Sequence, residues 1–573
     1  MKTNYIMTAA AACAFLFSGC YDLDRFPEDK LSSGTFWKTQ EHADQGMMGV
    51  YSVLQNNDVT GMYFFLDDLT EIGYGRSAVG YSDIAQGTTN ARTNTYKNRW
   101  SNLYEGITRS NTALQNIPNV EMEDGLKNRY IGEAKFLRAF FYFQLLDLFG
   151  GVPLYDETTV VGEEFSNMLK ARSSEEDTRK FILDDLEDAI AYLPEIWDEA
   201  NKGRATQGAA YALKGKVLLF GKQYAEAEKC FEAISGTNAA TYGYGLYPDY
   251  AGIFQPGGDE SEEIVFAVQN IGGMGQDYGM PTAYYMGTRS TYGSGWNTSS
   301  MAADFITEYE YRSDGKRFDW DELYPGFSTD NDVKSEVFSS KLTSDNKSVE
   351  SWTPHKDDLV NLWTQLDPRL QASVILPYTS YKGWTKDAPK DCIYVVADGT
   401  KAVNGFIEIA GATTITYFWR KFVPEYDMNG AINSRDDTPI NFPLIRYADV
   451  LLMLAECYNE TGNGDPIELI NQVRGRVGMP ALNSSQYLNA ATKDEIFSRI
   501  EHERAVEFAG EGLRFSDLRR WGLYESKIDG MAKRSLLGTA FYKHSVETRD
   551  SLWPIPGDEI DKNPSLEQNF GWN

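Results

Sequence analysis

The residues of this chain that could do chemistry are few and poorly spaced for it. Four histidines occur, His42, His355, His502 and His544. His502-Glu503 opens the HExxH pattern that sets two zinc ligands one helical turn apart, but the fourth residue after His502 is Val506, so the second ligand is missing. Gly73-Tyr74-Gly75-Arg76-Ser77-Ala78 imitates a dinucleotide-binding fingerprint with no parallel strand before it and no good helix after it. Ser294 in YGSGW lacks the outer glycines of a nucleophile elbow. Paired acids such as Asp67-Asp68, Asp184-Asp185 and Asp436-Asp437 are common in a chain with 83 carboxylates, and a glycosidase needs two acids facing each other across a sugar rather than adjacent in sequence. Asp330-Asn331-Asp332 lacks the glycine and distal glutamate of a calcium loop. The expectation is a protein that is not an enzyme and holds no metal and no cofactor.

What remains is aromatic. The chain carries 35 Tyr, 30 Phe and 12 Trp, more large amphipathic rings than a core needs. A flat ring covers the C–H face of a sugar while neighbouring polar groups bond its rim, which gives affinity without catalysis. Such rings belong on loops held by a rigid frame. Tyr74 and Tyr81, in the Gly/Ser/Thr-rich stretch from Asp67 to Asn94, and Tyr284, Tyr285, Tyr292 and Trp296, in a stretch with 13 Gly and 8 Tyr over residues 236–300, meet that demand. The competing reading of each is a ring packed onto a helix beneath its loop. Trp100 and Tyr104, at i and i+4, read as core.

The frame that must hold these loops is helical. His42–Gln55, Lys97–Ile117, Asp124–Phe149 and Thr178–Leu193 are the clearest early helices, the third closed by Gly150-Gly151 and Pro153. Arg204–Ile234 carries a tetratricopeptide-like pattern, in which small Gly215 and Ala227 let two helices approach while Tyr211, Leu218, Tyr224, Phe231 and Ile234 fill between them. Leu451, Ala455, Tyr458 and Ile467 echo it weakly, and Asn471 and Arg474 break the echo. Glu262–Gln269 is the one strand expected in 236–300, and 301–439 reads as an irregular insertion on the helical frame. Glu501–Trp521 (EHERAVEFAGEGLRFSDLRRW) reads as a helix kinked at Gly510 and Gly512, with one apolar face and one ionic face, solvated or paired. On that face Arg504 stands three before Glu507, and Glu511 three before Arg514.

At 573 residues and 42% hydrophobic content the chain is long enough to bury a large core. A net charge of −29 opposes polyphosphate binding, so no nucleic-acid partner is expected. Cys13, Cys20, Cys230, Cys392 and Cys457 show no CxxC spacing, and Cys230 and Cys457 fall in helical apolar patterns as core thiols. Residues 1–19 have the charge and apolar run of a secretory leader, too short to span a bilayer. Phe17-Ser18-Gly19-Cys20 looks like a bacterial lipobox, which makes Cys20 the expected acylation site and membrane anchor. The acidic, Pro-bearing residues behind it suit an extended tether.

Four stretches together resemble the SusD/RagB family: Glu501–Trp521, Arg446–Met479 (RYADVLLMLAECYNETGNGDPIELINQVRGRVGM), Ala134–Leu154 (AKFLRAFFYFQLLDLFGGVPL) and the terminal WPIPGDEIDKNPSLEQNFGW. Members of that family are surface lipoproteins of glycan-uptake systems in Bacteroidetes. The resemblance implies a mostly α, SusD-like fold in which tetratricopeptide-like pairs form a superhelical scaffold carrying a long loop-rich insertion. The expected organisation is a leader at 1–19, a tether at 20–34, a helical region at 35–235, an insertion with the ligand surface at 236–440 and C-terminal helices with a closing segment at 441–573, with 20–573 one unit. It also implies attachment to the outer membrane at the cell surface, capture of oligo- or polysaccharide, and delivery to a SusC-type TonB-dependent outer-membrane barrel. A peptide ligand, as in the RagB branch, and a surface glycosidase are the alternatives.

Overall fold

The computed structural model describes residues 36–159, 168–272, 278–345, 348–397 and 415–572. The leader, Cys20 and the tether lie outside the described residues. Helices dominate, among them α1 (Gln40–Tyr51), α2 (Asn94–Asn116), α3 (Asp124–Phe149), α4 (Glu175–Tyr192), α5 (Gln207–Phe220), α6 (Tyr224–Glu232), α7 (Asn331–Phe338), α8 (Lys356–Gln365), α9 (Tyr447–Thr461), α10 (Pro466–Arg476), α11 (Lys493–Glu507) and α12 (Arg514–Arg520). Local chemistry sets many of their starts. Ser174 and Thr206 cap α4 and α5 through their side chains, and Thr492 with Glu495 forms a capping box on α11. Asp330 caps α7 by accepting from the Asp332 amide.

Consecutive helices stack into the scaffold: α2 on α3, α3 on α4, α4 on α5, α5 on α6, then α6 on α9 and α9 on α10 and α11. α3 is the centre, buried nearly all round, because a helix apolar on every side has no face to give to water. Phe136 and Phe140 on it meet Phe266 edge-on, at 4.8 and 6.3 Å. The α5/α6 pair is joined by three residues, and Gly215 explains the close approach: a methyl there would sit 2.5 Å from the Phe231 ring. Cys230 and Cys457 are buried in this stack, as is Cys392 in the insertion.

Strands are short and antiparallel: β1 (Gly73–Gly75) pairs with β3 (Ser299–Met301), β2 (Ile264–Val268) with β6 (Phe442–Arg446), and β4 (Ser380–Thr385) with β5 (Ala388–Ile393). Two expectations are corrected here. The stretch 236–300 holds a second strand, β3, and a helical turn at Thr282–Tyr285, because Gly73–Gly75 offers β3 a backbone partner that composition cannot reveal. The Glu501–Trp521 helix is broken rather than kinked: α11 ends at Glu507, Gly510 and Gly512 take φ of 86° and 77°, and α12 begins at Arg514.

The ionic face of that stretch is paired, buried and joined to partners far away in sequence. Arg446 contacts Glu263 (2.6 Å), Glu507 (2.7 Å) and Glu511 (2.8 Å). Arg369 contacts Glu503 (2.6 Å) and Glu507 (2.8 Å), and Lys421 reaches Glu511 (2.9 Å). Arg474, which breaks the repeat echo, bridges Glu503 and Glu310 at 3.0 and 2.8 Å. Arg476 pairs with Glu263 and Glu507. The local pairs that the spacing offers do not form: Arg504 turns to Asp449 (2.8 Å) and Asp517 (2.7 Å), and Arg514 to Glu71 and Glu501. These ions bolt the insertion (Glu310, Arg369, Lys421) to α10, α11 and the glycine turn, so the loops carried by the insertion hang from a rigid base.

Candidate carbohydrate-binding face

The insertion's Gly-rich loop is held at both ends. Behind it, β3 pairs with β1, and the Arg76 amide donates to the Thr298 carbonyl at 2.8 Å. Ahead of it, the Tyr284 amide donates to the Arg435 carbonyl (3.1 Å) and the Trp296 amide to the Tyr284 carbonyl (2.7 Å). The loop therefore closes on itself and brings residues twelve apart side by side. Gly295 is required at this closure, since a Cβ there would meet the carbonyls of Gly287 and Ala283 at 2.3 and 2.4 Å.

The result is a cluster of rings. Trp296 is 41% exposed and meets Tyr284 edge-on at 5.2 Å. Tyr285 lies 4.6 Å from Tyr284 and turns its other side to Phe65, 5.3 Å away. Tyr292, half-buried, leans on Trp384 of β4 at 5.5 Å, and the Trp384 amide donates to the Ser290 carbonyl at 2.7 Å, fastening the β4/β5 hairpin to the loop. Arg435 crosses under the cluster, 4.1 Å from the Tyr284 centroid and 5.8 Å from that of Trp296, with Nη1 donating to the carbonyls of Ser294 (2.7 Å) and Gly293 (3.2 Å). Arg289 lies 5.4 Å from the Trp296 centroid. Cations at these distances stiffen the rings as well as charging the face. Burial, then Tyr284 and Asp436, raise the Tyr285 phenol above its usual range, so it stays a neutral hydrogen-bonding group.

The other two expected rings are core. Tyr74 is 6% exposed and stacks on Phe541 at 4.2 Å, with burial pushing its phenol up to about 12. Tyr81 is 4% exposed, packed between Phe65 (5.7 Å) and Trp553 (6.2 Å). Both face inward because the Asp67–Asn94 segment is not a free loop: β1 and a run of short helical turns tie it to the frame. Arg289, Arg435 and Trp384 are absent from the expected set. Arg289 stood in the Gly-rich stretch and was legible as a polar neighbour, whereas Arg435 and Trp384 arrive from about 90 to 140 positions away through backbone bonds that no local pattern signals.

The acid pair Asp67-Asp68 lies beneath this region and is structural. Asp67 Oδ2 accepts from the amides of Gly510 (2.8 Å) and Gly512 (3.1 Å), and Asp68 Oδ1 accepts from the Ser299 hydroxyl (2.8 Å). Burial raises Asp67 to about 7, against the pull of the two amides. His502 is also structural, buried with Nε2 2.7 Å from the Glu308 carbonyl.

Comparison with known proteins agrees with this architecture. The profile described as the SusD family matches residues 262–572, more than half of the chain. The chain belongs to the SusD family. A second profile, described as starch-binding associating with outer membrane, matches residues 23–219. Among relatives, SusD-like protein P38 of Formosa agariphila is 23% identical, covering 95% of this chain and 93% of its own length. The starch-binding protein SusD of Bacteroides thetaiotaomicron is 25% identical over the full length of both. A SusD-like protein crystal structure from Bacteroides fragilis superposes with a TM-score of 0.74 at 24% identity, covering 96% of this chain and 100% of that one. The fold is thus the mostly helical SusD fold, and no described helix is long and apolar enough to cross a membrane.

Proposed function

We propose that this SusD-family chain is a lipid-anchored, cell-surface binder that captures an oligo- or polysaccharide on the Tyr284–Trp296 face and delivers it to a SusC-type TonB-dependent barrel in the outer membrane. The observation that carries the proposal is the exposed Trp296 indole, braced by Tyr284 and Arg435 on a loop anchored to a buried ionic base. A ring that is both exposed and immobilised loses little entropy when a sugar stacks on it. Tyr285 and Tyr292 flank it as further contacts, and the name of the full-length relative, a starch-binding protein, supports carbohydrate as the ligand class. Anchoring through Cys20 and the acidic tether fits the outer-membrane association of the family profile that matches residues 23–219.

The proposal is of binding without turnover. Asp67 and Asp68, paired acids beneath the loop, are engaged by amides and a hydroxyl inside the fold rather than presented to a sugar. Reducing ends should not accumulate when purified protein is incubated with a polysaccharide it binds; accumulation abolished by one carboxylate substitution would make it a glycosidase. The delivery step is tested by affinity capture from detergent-solubilised native outer membrane. Co-recovery of a large TonB-dependent barrel is expected, and recovery of the protein alone would remove delivery from the account.

A further inference from the structure

The aromatic face carries an unusual charge for this chain. Net charge is −29, and the buried guanidinium groups at Arg369, Arg446, Arg474, Arg504 and Arg514 are each held by carboxylates. Around Trp296 the pattern reverses. Arg289 and Arg435 lie 5.4 and 5.8 Å from its centroid, and Arg76 is tied by its amide to Thr298, two residues further on. Among the described residues none of the three forms an ion pair. Only Nη1 of Arg435 is engaged, by two carbonyls. Asp436, next in sequence to Arg435, is exposed and makes no ion pair with it. Burial, and then the neighbouring Arg289 charge, hold the Arg76 guanidinium below its usual range, so the two cations feel each other.

We infer that the glycan is acidic: a sugar chain carrying carboxylate or sulfate groups, whose oxyanions meet Arg76, Arg289 and Arg435 while a sugar ring lies on Trp296. The inference rests on the carbohydrate reading above and specifies its ligand. A neutral sugar asks only for amides and hydroxyls at its rim, and three like-charged guanidiniums that form no ion pair among the described residues are repulsion that the one neighbouring acid, Asp436, offsets only in part. An oxyanion removes that repulsion, and the planar fork of arginine matches carboxylate and sulfate oxygens. The acidic exterior does not forbid this, because charges beyond about 8 Å are largely screened at physiological salt whereas the three arginines act at contact range.

The test is titration calorimetry of the mature full chain with three length-matched probes, an oligogalacturonate, a sulfated galactan oligosaccharide and a malto-oligosaccharide, at low and raised NaCl. Trp296→Ala, Arg289→Gln and Arg289→Lys are compared with wild type after circular dichroism confirms that each is folded. Expected is binding of a carboxylated or a sulfated probe that falls with salt, weakens about tenfold in Arg289→Gln and is restored only in part in Arg289→Lys, which keeps the charge without the planar fork; which acidic probe binds identifies the oxyanion. Binding of the malto-oligosaccharide that is lost in Trp296→Ala but unchanged in Arg289→Gln overturns the acidic inference and leaves the carbohydrate reading standing. An acidic probe bound equally by Arg289→Gln overturns it as well. No binding of any probe by wild type overturns both.

Discussion

Six loop aromatics look alike in sequence, yet the structure divides them by where their rings point. Trp296 and Tyr284 sit on the face, and Tyr74 is walled in by Phe541 and Tyr542. The division predicts opposite phenotypes. Trp296→Ala should leave thermal stability within a degree or two and weaken glycan affinity by about 1–2 kcal/mol. Tyr74→Ala removes a buried ring and should destabilise the fold by about 3–5 kcal/mol in denaturant titration. Asp67 offers a second test. Its carboxyl is raised from the ordinary aspartate value to about 7 by burial, so the folded state holds the proton more tightly than the unfolded chain does. That contribution is complete below about pH 4 and is lost as pH rises through 7. Asp67→Asn keeps an acceptor for the Gly510 and Gly512 amides and cannot ionise. Its melting temperature should exceed wild type at pH 8, with the gap closing at pH 5; a gap unchanged between the two would show that Asp67 is not protonated in the fold.

Among the elements, the frame helices were the legible part. Asp124–Phe149 could be read end to end, because apolar periodicity and the Gly150 stop both act within one segment. The α5/α6 pair was legible for the same reason, small residues facing large ones at fixed spacing. Gly215 makes that argument testable. Gly to Ala inside a helix ordinarily gains up to about 1 kcal/mol from propensity, but here the methyl would meet the Phe231 ring. Gly215→Ala should therefore lower the melting temperature, and Phe231→Leu in the same chain should recover part of the loss. Elements defined by partners distant in sequence were not legible. β3 exists because β1 pairs with it, and the break after Glu507 exists because two positive-φ glycines aim their amides at Asp67.

Across the whole molecule, the largest gap between sequence and structure is the buried ionic cluster. Spacing suggested exchange of charge along one helix, whereas Glu507 is shared by Arg369, Arg446 and Arg476 from three other segments. Such long-range choices follow from burial: an ion taken out of water needs several partners, and the nearest one in sequence supplies one at most. Burial opposes ionisation of Glu507, but the Arg476, Arg446 and Arg369 charges overcome it and hold its carboxyl well below the usual range. Its contribution to stability is present above the unfolded value near 4.5 and lost as pH falls through the depressed folded value. Glu507→Gln leaves three guanidiniums short of a partner and should cost about 3–5 kcal/mol at pH 7. The loss should shrink as acid titrates the wild type, and an equal loss at pH 7 and pH 3 would contradict the assignment. Because this cluster fixes the insertion to the scaffold, the same variant should weaken glycan binding without touching the ligand.

The direct measurement is affinity electrophoresis of the folded mature chain through gels carrying neutral and acidic polysaccharides, with Trp296→Ala and Tyr284→Ala run beside wild type. The account predicts retardation of wild type by a polysaccharide, relieved in both variants while their melting temperatures stay close to wild type. Retardation unchanged in the two variants, or none for wild type in any gel, would contradict it.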